Sequence, residues 1–203
     1  QPNSAIAGLS AIPGFDGAMV GVTSLKLNEP DVVDAMKQVY AFWLDPNGDG
    51  DLSDGVDGFR IDHTMDDLDD KGRSVHLFSH YWRPIVESAR AINPQVFFLA
   101  EPAQWSSFGG ELLNETRMDA VFDIPLMFAI RSRLAINIWQ TLDAGRLERA
   151  TAQQGLVLIE NHDMNRIADD ELSDSRWPYA AAAVNILLPA PPVIYYGQEL
   201  GVQ

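Results

Sequence analysis

Three apolar, strand-like runs in this chain each end in a carboxylate, just where the run stops. The three acids are Asp62, Glu101 and Asp163. In an alternating β/α protein the carboxyl ends of parallel strands lie on one face, so acids far apart in sequence can share a pocket there. Like charges at short range raise the pKa of at least one carboxyl group, which prepares a proton donor beside an ionised partner. This pattern favours cleavage of glycosidic bonds, which uses two carboxyl groups in those two states.

Strands and helices alternate along the chain around these acids. Hydrophobic periodicity predicts strands within 56–62, 96–101, 118–123, 156–163 and 193–197. Helices are expected from Asn28 to about residue 44 and at 76–92, 125–139, 145–153 and 177–188. Such alternation predicts an α/β fold with a parallel sheet. An eight-stranded β/α barrel of the TIM type needs roughly 250 residues, so 203 residues predict an open sheet or an incomplete barrel.

The first two helices show clear apolar stripes. These stripes are Val32, Met36, Val39 and Trp43, followed by Leu77, Tyr81, Ile85 and Ala89. Pro84 is expected to kink the second helix or to mark its start. Residues 1–24 have weak periodicity and are predicted as a loop or the remnant of a preceding domain. The partial barrel is then assigned to residues 25–203.

The chain's composition narrows the classes of partner. Its formal charge of −15 and pI near 4.4 repel phosphate backbones and anionic membrane surfaces, so neither nucleic acid nor membrane is an expected partner. A neutral sugar polymer is compatible with this charge. The absence of cysteine excludes disulfides and thiolate chemistry but leaves the cellular compartment open. No apolar run approaches the roughly 20 residues of a membrane span, and the first residue, Gln1, suggests a processed or truncated start.

Several motifs, taken in order, resemble those of the α-amylase family of glycoside hydrolases. The motifs are GFRID at 58–62, the strand ending in Glu101, NHD at 161–163, PPVIYYGQE at 191–199 and the shorter LKLN at 25–28. The resemblance implies strands four to eight of a catalytic β/α barrel with their helices. Two open sheet edges would then need a missing N-terminal segment or a second chain to complete the barrel.

The resemblance also implies roles for the three acids. Asp62 matches the nucleophile, Glu101 the general acid/base, and Asp163 the acid that holds sugar hydroxyls and favours the distorted, oxocarbenium-like transition state. Arg60 lies two residues before Asp62, hence on the same face of a strand, and would keep the nucleophile ionised and oriented. The implied reaction is retaining hydrolysis of α-glucans or malto-oligosaccharides through a covalent glycosyl-enzyme, with the two carboxyl groups about 5 Å apart.

Arg60 and two histidines are assigned to substrate binding. His162 would donate a hydrogen bond to a sugar hydroxyl in the cleavage subsite. His63 stands where the family usually has a small residue, and Met65-Asp66 replaces a Lys-His pair, so preference on the acceptor side is expected to differ. Trp105, Trp177 and Tyr196 are candidates for stacking on sugar rings.

An acidic segment before the first carboxylate strand resembles a calcium-binding loop. Asp45, Asn47, Asp49 and Asp51 place oxygen ligands at alternating positions, with glycine at the sixth, as in an EF-hand. The twelfth position is Val56, not a bidentate glutamate, so a structural Ca²⁺ competes with an acidic turn that binds nothing. The run at 66–70 is predicted to be a solvated loop.

Two alternatives to hydrolysis stay open at this point. A transglycosylase would use the same carboxylates with a sugar as acceptor. A non-catalytic relative would keep the fold for carbohydrate binding. Retention of all three acids favours an enzyme.

Overall fold

The computed structural model describes residues 6–8, 12–14, 16–21, 23–68, 74–149, 154–169 and 176–202. Its strands are β1 (Ile6–Gly8), β2 (Ile12–Pro13), β3 (Met19–Val20), β4 (Thr23–Leu25), β5 (Gly58–Thr64), β6 (Phe97–Pro102), β7 (Ala120–Phe122) and β8 (Gln154–Leu156). Its α-helices are α1 (Pro30–Leu44), α2 (Arg83–Ile92), α3 (Gly110–Thr116), α4 (Ile124–Arg131), α5 (Ala135–Glu148) and α6 (Trp177–Leu187).

The main sheet has four strands in the order β5-β6-β7-β8. The β6–β7 and β7–β8 pairs are parallel. The hydrogen bonds from the Phe97 amide to the Asp57 carbonyl and from the Ala103 amide to the Thr64 carbonyl show that β5 and β6 also run in the same direction. The predicted parallel α/β sheet is therefore confirmed, and the carboxyl ends of its strands lie along one edge.

Close approach of β5 to β6 depends on Gly58. A Cβ atom at this position would lie 2.5 Å from the Phe97 carbonyl oxygen, closer than any side chain tolerates. The glycine that opens the GFRID motif therefore sets the spacing of the two strands that carry Asp62 and Glu101.

Two of the predicted helices agree well with the structure. All four residues of the stripe expected in 76–92, Leu77, Tyr81, Ile85 and Ala89, are buried. A π-helical turn at Phe78–Trp82 precedes α2, which begins with Pro84 in its first turn, where a missing N–H costs nothing. The alanine-rich helix expected at 177–188 is α6.

The stripe predicted on the first helix is partly wrong. Val39 and Trp43 are 46% and 52% exposed, whereas Val33 and Leu44 are buried. The buried face of α1 includes Tyr40 instead of Val39, because the Tyr40 ring packs on Phe59 with centroids 4.7 Å apart. Aromatic packing thus shifted the buried face by one residue.

The long helix predicted at 125–139 is two helices, α4 and α5. The Ser132 hydroxyl accepts hydrogen bonds from the Leu134 amide and the Asn137 side chain, and Arg133 adopts a left-handed backbone with φ +63°. Such local side-chain bonding competes with the helix and ends it without glycine or proline. Of the short helix expected at 145–153, residues 145–148 are the end of α5, and residues 150–153 lie outside the described residues.

The last predicted strand, 193–197, is reduced to one parallel bridge between Val157 and Pro192. The Val157 amide donates to the Pro191 carbonyl and the Val193 amide to the Val157 carbonyl. Pro191 and Pro192 have no N–H to offer a ladder, so pairing cannot extend through them. Strand β8 also begins and ends earlier than predicted, at Gln154–Leu156.

Part of the segment predicted as loop, 1–24, forms short antiparallel pairs. Strand β1 pairs with β4, and β2 pairs with β3. Strand β4 crosses the proposed domain start at residue 25, and that domain boundary stays a prediction.

The chain folds into two compact units. The first comprises Gln1–Phe59, Met65–Phe98 and Glu115–Arg117, and the second Arg60–Thr64, Leu99–Asn114 and Met118–Gln203. The first has a buried core of Val32, Val33, Leu77, Tyr81 and Ile85. The second has a buried cluster of Leu126, Ala129, Ile130, Val157, Ile159, Ile167 and Ala181. All three candidate acids lie in the second unit. No helix in the described ranges is long and apolar enough to cross a membrane.

Candidate active site

One arginine joins two of the three candidate acids. Arg60 and Asp62 lie two residues apart on β5, and Glu101 lies near the end of the neighbouring β6. Arg60 Nη1 is 2.5 Å from Asp62 Oδ1, and Arg60 Nη2 is 2.6 Å from Glu101 Oε2. Alternation along β5 puts Arg60 and Asp62 on one face, and sheet pairing brings Glu101 to the same guanidinium group.

The two carboxylates differ in their surroundings. The Asp62 side chain is 74% exposed, whereas that of Glu101 is 6% exposed. Glu101 Oε2 accepts hydrogen bonds from Arg60 and, at 3.2 Å, from the His63 amide. Glu101 Oε1 is buried and has no hydrogen-bond partner among the described residues. A buried carboxylate oxygen without a donor is costly, and Oε1 therefore has unused hydrogen-bonding capacity.

His63 contributes through its backbone. It has φ +47°, a left-handed conformation within β5, and this turn of the backbone accompanies the hydrogen bond from its amide to Glu101. Its side chain is exposed. The assignment of the imidazole to substrate binding stays a prediction.

The third acid lies in a turn after β8. The Asp163 amide donates to the Asn161 side chain at 3.0 Å, and His162 Nε2 is 3.5 Å from Asp163 Oδ2. Both side chains are partly exposed, 58% for His162 and 40% for Asp163. They are therefore open to a ligand.

A cavity of about 160 Å³ links the two groups of residues. Its polar and charged lining residues include Arg60, Glu160, Asn161 and His162. Its apolar lining includes Phe122, Leu158 and Val193. The structure thus brings Asp62 and Glu101 together on Arg60 and places His162 beside the same cavity as Arg60. Direct convergence of Asp163 on Asp62 and Glu101 stays a prediction.

Sequence reasoning assigned no role to two residues beside this turn, Glu160 and Arg166. Glu160 is 2% exposed, and its Oε1 lies 2.9 Å from Arg166 Nη1. The signal in the sequence is an acid at the end of an apolar run with an arginine six residues later. A buried acid requires a partner, and Arg166 is a nearby basic residue.

The three aromatic candidates have different neighbours. Trp105 is 38% exposed and packs against Phe128 with ring centroids 5.9 Å apart. Tyr196 is 72% exposed and lies against Arg166. Trp177 lies under the Arg133 guanidinium group at 5.1 Å. Trp105 and Tyr196 thus have open ring surface on which a sugar could stack, and their role in binding stays a prediction.

The acidic loop predicted to bind calcium belongs to the first unit. Asp45 Oδ1 accepts from the Gly48 amide at 2.8 Å, and Asp49 Oδ1 from the Asp51 amide at 2.8 Å. The amide and hydroxyl of Ser53 hold the pKa of Asp51 below its ordinary value. Among the described residues no three acidic or histidine side chains form a group that could hold a metal. Gly50 has φ +81°, as the sharp turn of such a loop requires. The donor types and the turn fit calcium, and binding itself stays a prediction.

The second acidic run is partly described. Asp66 accepts a hydrogen bond from the Phe78 amide at 2.9 Å, which ties it to the π-helical turn. Residues 69 and 70 lie outside the described residues, and the solvated loop stays a prediction.

Fold and site together define an α/β protein with a carboxylate–arginine cluster at the carboxyl edge of a parallel sheet. Residues 17–203 match the sequence profile of the alpha-amylase catalytic domain. The chain therefore belongs to the alpha-amylase family of glycoside hydrolases, and the resemblance inferred from its motifs is confirmed.

Known relatives match nearly all of this chain but only part of their own length. "Alpha-amylase 3" of Dictyoglomus thermophilum is 24% identical over 88% of this chain and 34% of the relative. The 4-alpha-glucanotransferase of Thermotoga maritima is 27% identical over 88% of this chain and 37% of the relative. The crystal structure of alpha-amylase from H. orenii superposes with a TM-score of 0.75 at 20% identity, over 97% of this chain and 43% of that one. The chain thus spans about a third of the curated relatives' length and shares its fold with a part of alpha-amylase.

Proposed function

We propose that this chain carries the catalytic carboxylates of a retaining α-glycoside hydrolase that acts on α-glucans or malto-oligosaccharides. The observation that carries the proposal is the contact of one guanidinium group with both Asp62 and Glu101. Two carboxylates on one guanidinium group are compatible with the separation of about 5 Å that a retaining mechanism requires. The family membership and the amylase and glucanotransferase relatives support the substrate class.

Each residue has a chemical task in this proposal. Asp62 attacks the anomeric carbon while Glu101 donates its proton to the departing glycosidic oxygen, which gives a glycosyl ester on Asp62. Glu101 then takes a proton from water, the water attacks the anomeric carbon, and the ester bond to Asp62 breaks. Because Oε2 is engaged by Arg60 and the His63 amide, Oε1 is the oxygen assigned to carry the transferred proton. His162 and Asp163 hold hydroxyl groups of the sugar.

The decisive experiment traps the intermediate. The protein at its full native length is incubated with a fluorinated α-maltosyl fluoride, digested and analysed by mass spectrometry. A glycosyl adduct on the peptide that contains Asp62 is expected. An adduct on another carboxylate, or a product of inverted anomeric configuration by NMR, would contradict the assignment. The D62N variant, which lacks the attacking oxygen, is the matched control and should remain unlabelled.

Transfer to a sugar acceptor is the second candidate activity. It is favoured by the relative named 4-alpha-glucanotransferase. Hydrolysis creates reducing ends, whereas transfer between malto-oligosaccharides changes chain lengths without creating them. Chromatography of the products together with a reducing-end assay separates the two. Binding of malto-oligosaccharides without either change would favour the non-catalytic alternative.

The fold proposal is that β5 to β8 are part of a β/α barrel completed by further polypeptide, either a preceding segment or a second chain. The sheet in the described residues has β5 at one edge and only a single bridge to Pro192 beyond β8. Open edges of this kind pair readily with other chains. The chain expressed alone is therefore expected to associate in size-exclusion chromatography, and a form extended at its N-terminus to be monodisperse. A stable monomer of the chain alone would contradict the proposal.

Calcium binding by the loop at 45–54 is proposed as a structural contribution separate from catalysis. Asp45, Asn47, Asp49 and Asp51 would supply its oxygen ligands. The support is their donor chemistry and the left-handed glycine at the sixth position.

A further inference from the structure

One carboxylate, that of Glu160, joins the two ends of the turn that carries His162 and Asp163. Glu160 Oε1 lies 2.9 Å from Arg166 Nη1, and Glu160 Oε2 accepts a hydrogen bond from the Ile167 amide at 2.6 Å. Both oxygens thus bind residues on the far side of the turn. The Glu160 side chain is 1% exposed, so water competes little for these bonds.

Arg166 connects this closure to the segment at Tyr195 and Tyr196. Its Nη1 donates to the Tyr196 carbonyl at 2.9 Å. Its guanidinium carbon lies 4.3 Å from the Tyr195 ring centroid and 4.8 Å from that of Tyr196. Partial burial lowers the pKa of Arg166, but the hydrogen bond and charge of Glu160 outweigh it, so the pKa is raised overall. Arg166 therefore stays charged and bound on two sides.

Hydrogen bonds to neighbouring segments hold the backbone before Glu160 in place, although strand β8 has already ended. The β8 ladder stops at Leu156. Beyond it, Val157 bonds to Pro191 and Val193, and Arg131 Nη1 donates to the Ile159 carbonyl at 3.0 Å. The base of the turn is thus anchored to α4 as well as to the bridge at Pro192.

We infer that Glu160 and Arg166 are positioning residues that fix the turn 161–163 beside the cavity shared with Arg60. The inference rests on the proposed function, in which His162 and Asp163 hold the sugar. Without the Glu160 charge, Arg166 loses a partner and the base of the turn opens. A misplacement of about 1 Å in a substrate-holding group can cost roughly 10²-fold in rate.

The chain provides a closely matched control in Asp123 and Arg149. Asp123 is 2% exposed, like Glu160, and the Arg149 side chain is 12% exposed, like that of Arg166. Their ion pair measures 2.8 Å. Asp123 and Arg149 line a different cavity, of about 470 Å³, and not the one that contains His162. E160Q and D123N therefore break equivalent ion pairs, and only the first lies beside the proposed site.

The test compares these variants in the protein at its full native length, at a temperature where calorimetry shows each to be folded. E160Q is expected to lower kcat/KM on maltoheptaose about 10²-fold, mainly through kcat, because Asp163 is proposed to act in the transition state. D123N should lower the melting temperature by a similar amount and leave kcat unchanged. Equal losses of kcat in both variants, or none in E160Q, would overturn the inference.

Two further variants keep the result interpretable. If E160Q does not fold, E160D takes its place in the test. Its aspartate retains the charge but is one methylene too short to reach both Arg166 and Ile167, so the same loss of kcat is expected. D62N separates this inference from the proposed function. Turnover that survives D62N refutes the proposed function, whereas an inactive D62N beside a fully active E160Q or E160D refutes only the role of Glu160.

Discussion

Two arginine–carboxylate clusters of the second unit, those of Arg60 and Arg149, have their hydrogen bonds satisfied to different degrees. At Asp123, Oδ1 accepts from the Leu126 amide at 3.1 Å and Oδ2 from Arg149 at 2.8 Å. Both oxygens are therefore used. In the Arg60 cluster Asp62 is exposed, and Glu101 keeps one buried oxygen without a partner among the described residues.

The Arg149 side chain is also in closer contact with its neighbours than the Arg60 side chain. Arg149 fills the space over two glycines, since a Cβ on Gly145 or Gly155 would lie 2.7 or 2.8 Å from its guanidinium atoms. Arg149 also donates to the Phe108 carbonyl. The Arg60 side chain remains 33% exposed. Asp123 and Arg149 also line a cavity of about 470 Å³, so the two clusters differ in bonding and not in open space. An ion pair whose carboxylate oxygens are both bonded serves the fold, whereas one that leaves an oxygen without a donor is suited to a ligand.

The largest expected effect is the loss of activity in D62N. If the exposed carboxylate of Asp62 is the nucleophile, D62N should lower kcat by about 10³-fold or more. Its free energy of unfolding should change by only about 0.5 kcal/mol, because the side chain is exposed. Steady-state assays and denaturant titrations measure both. Asp57 is an exposed acid just before the same strand, and D57N should remain active. Equal activity in D57N and D62N would remove the functional contrast between the Arg60 and Arg149 clusters.

D123N should show the opposite behaviour. It leaves Arg149 buried without a charged partner, which is expected to cost about 3 to 5 kcal/mol in the free energy of unfolding. Activity per folded molecule should equal that of the wild type. A stable D123N variant with reduced kcat would place Asp123 in the site and contradict the structural role assigned to it.

Lysine substitution of the two arginines sharpens the comparison further. Lysine is a point charge and cannot hold two carboxylates with a planar fork. R60K should therefore lower kcat/KM by roughly 10²-fold, since Asp62 and Glu101 are no longer held together. R149K should reduce thermal stability and spare kcat/KM. Loss of kcat/KM in R149K together with loss of stability alone in R60K would show that the functional and structural roles of the two clusters must be exchanged.

A smaller effect is expected from the backbone of His63. Its left-handed φ of +47° is hard for a β-branched residue to adopt, so H63V should lose about 1 to 2 kcal/mol in the free energy of unfolding. H63N, which tolerates this conformation, should retain the stability of the wild type. Thermal melts of both variants test this, and equal stability would mean that the backbone is not constrained at this position.

The smallest expected contribution to stability is that of calcium. Chelation should lower the melting temperature and added calcium should restore it, and D49N combined with D51N should abolish that response. Identical melting temperatures of the wild type with and without chelator would contradict a structural role for calcium.

The elements that sequence predicted well are those whose burial follows a simple period. The stripe from Leu77 to Ala89 is such a case, because each residue faces the same core. The break between α4 and α5 was missed because it depends on hydrogen bonds to Ser132, which no glycine or proline announces. The strand after Pro192 was overestimated because its apolar residues fit a strand while its prolines limit the ladder.

The candidate site, like the fold, was predicted in part from the sequence. Proximity of Asp62 and Glu101 followed from strand ends and sheet pairing, and the contacts of Arg60 agree with it. The closure by Glu160 and Arg166 could not be derived, because spacing in a turn does not say which charges meet. The orientation of His63 was equally inaccessible, since a left-handed residue inside a strand has no sequence signature in histidine.

The closure of the turn by Glu160 also limits how this region can change over time. Because one carboxylate binds Arg166 and Ile167 at once, the number of residues between Glu160 and Arg166 is fixed by geometry. Insertions or deletions there would detach the anchor, so variation in length among homologous proteins should be concentrated outside this interval. Engineers who wish to lengthen the loop at this edge of the sheet should therefore insert after Ile167.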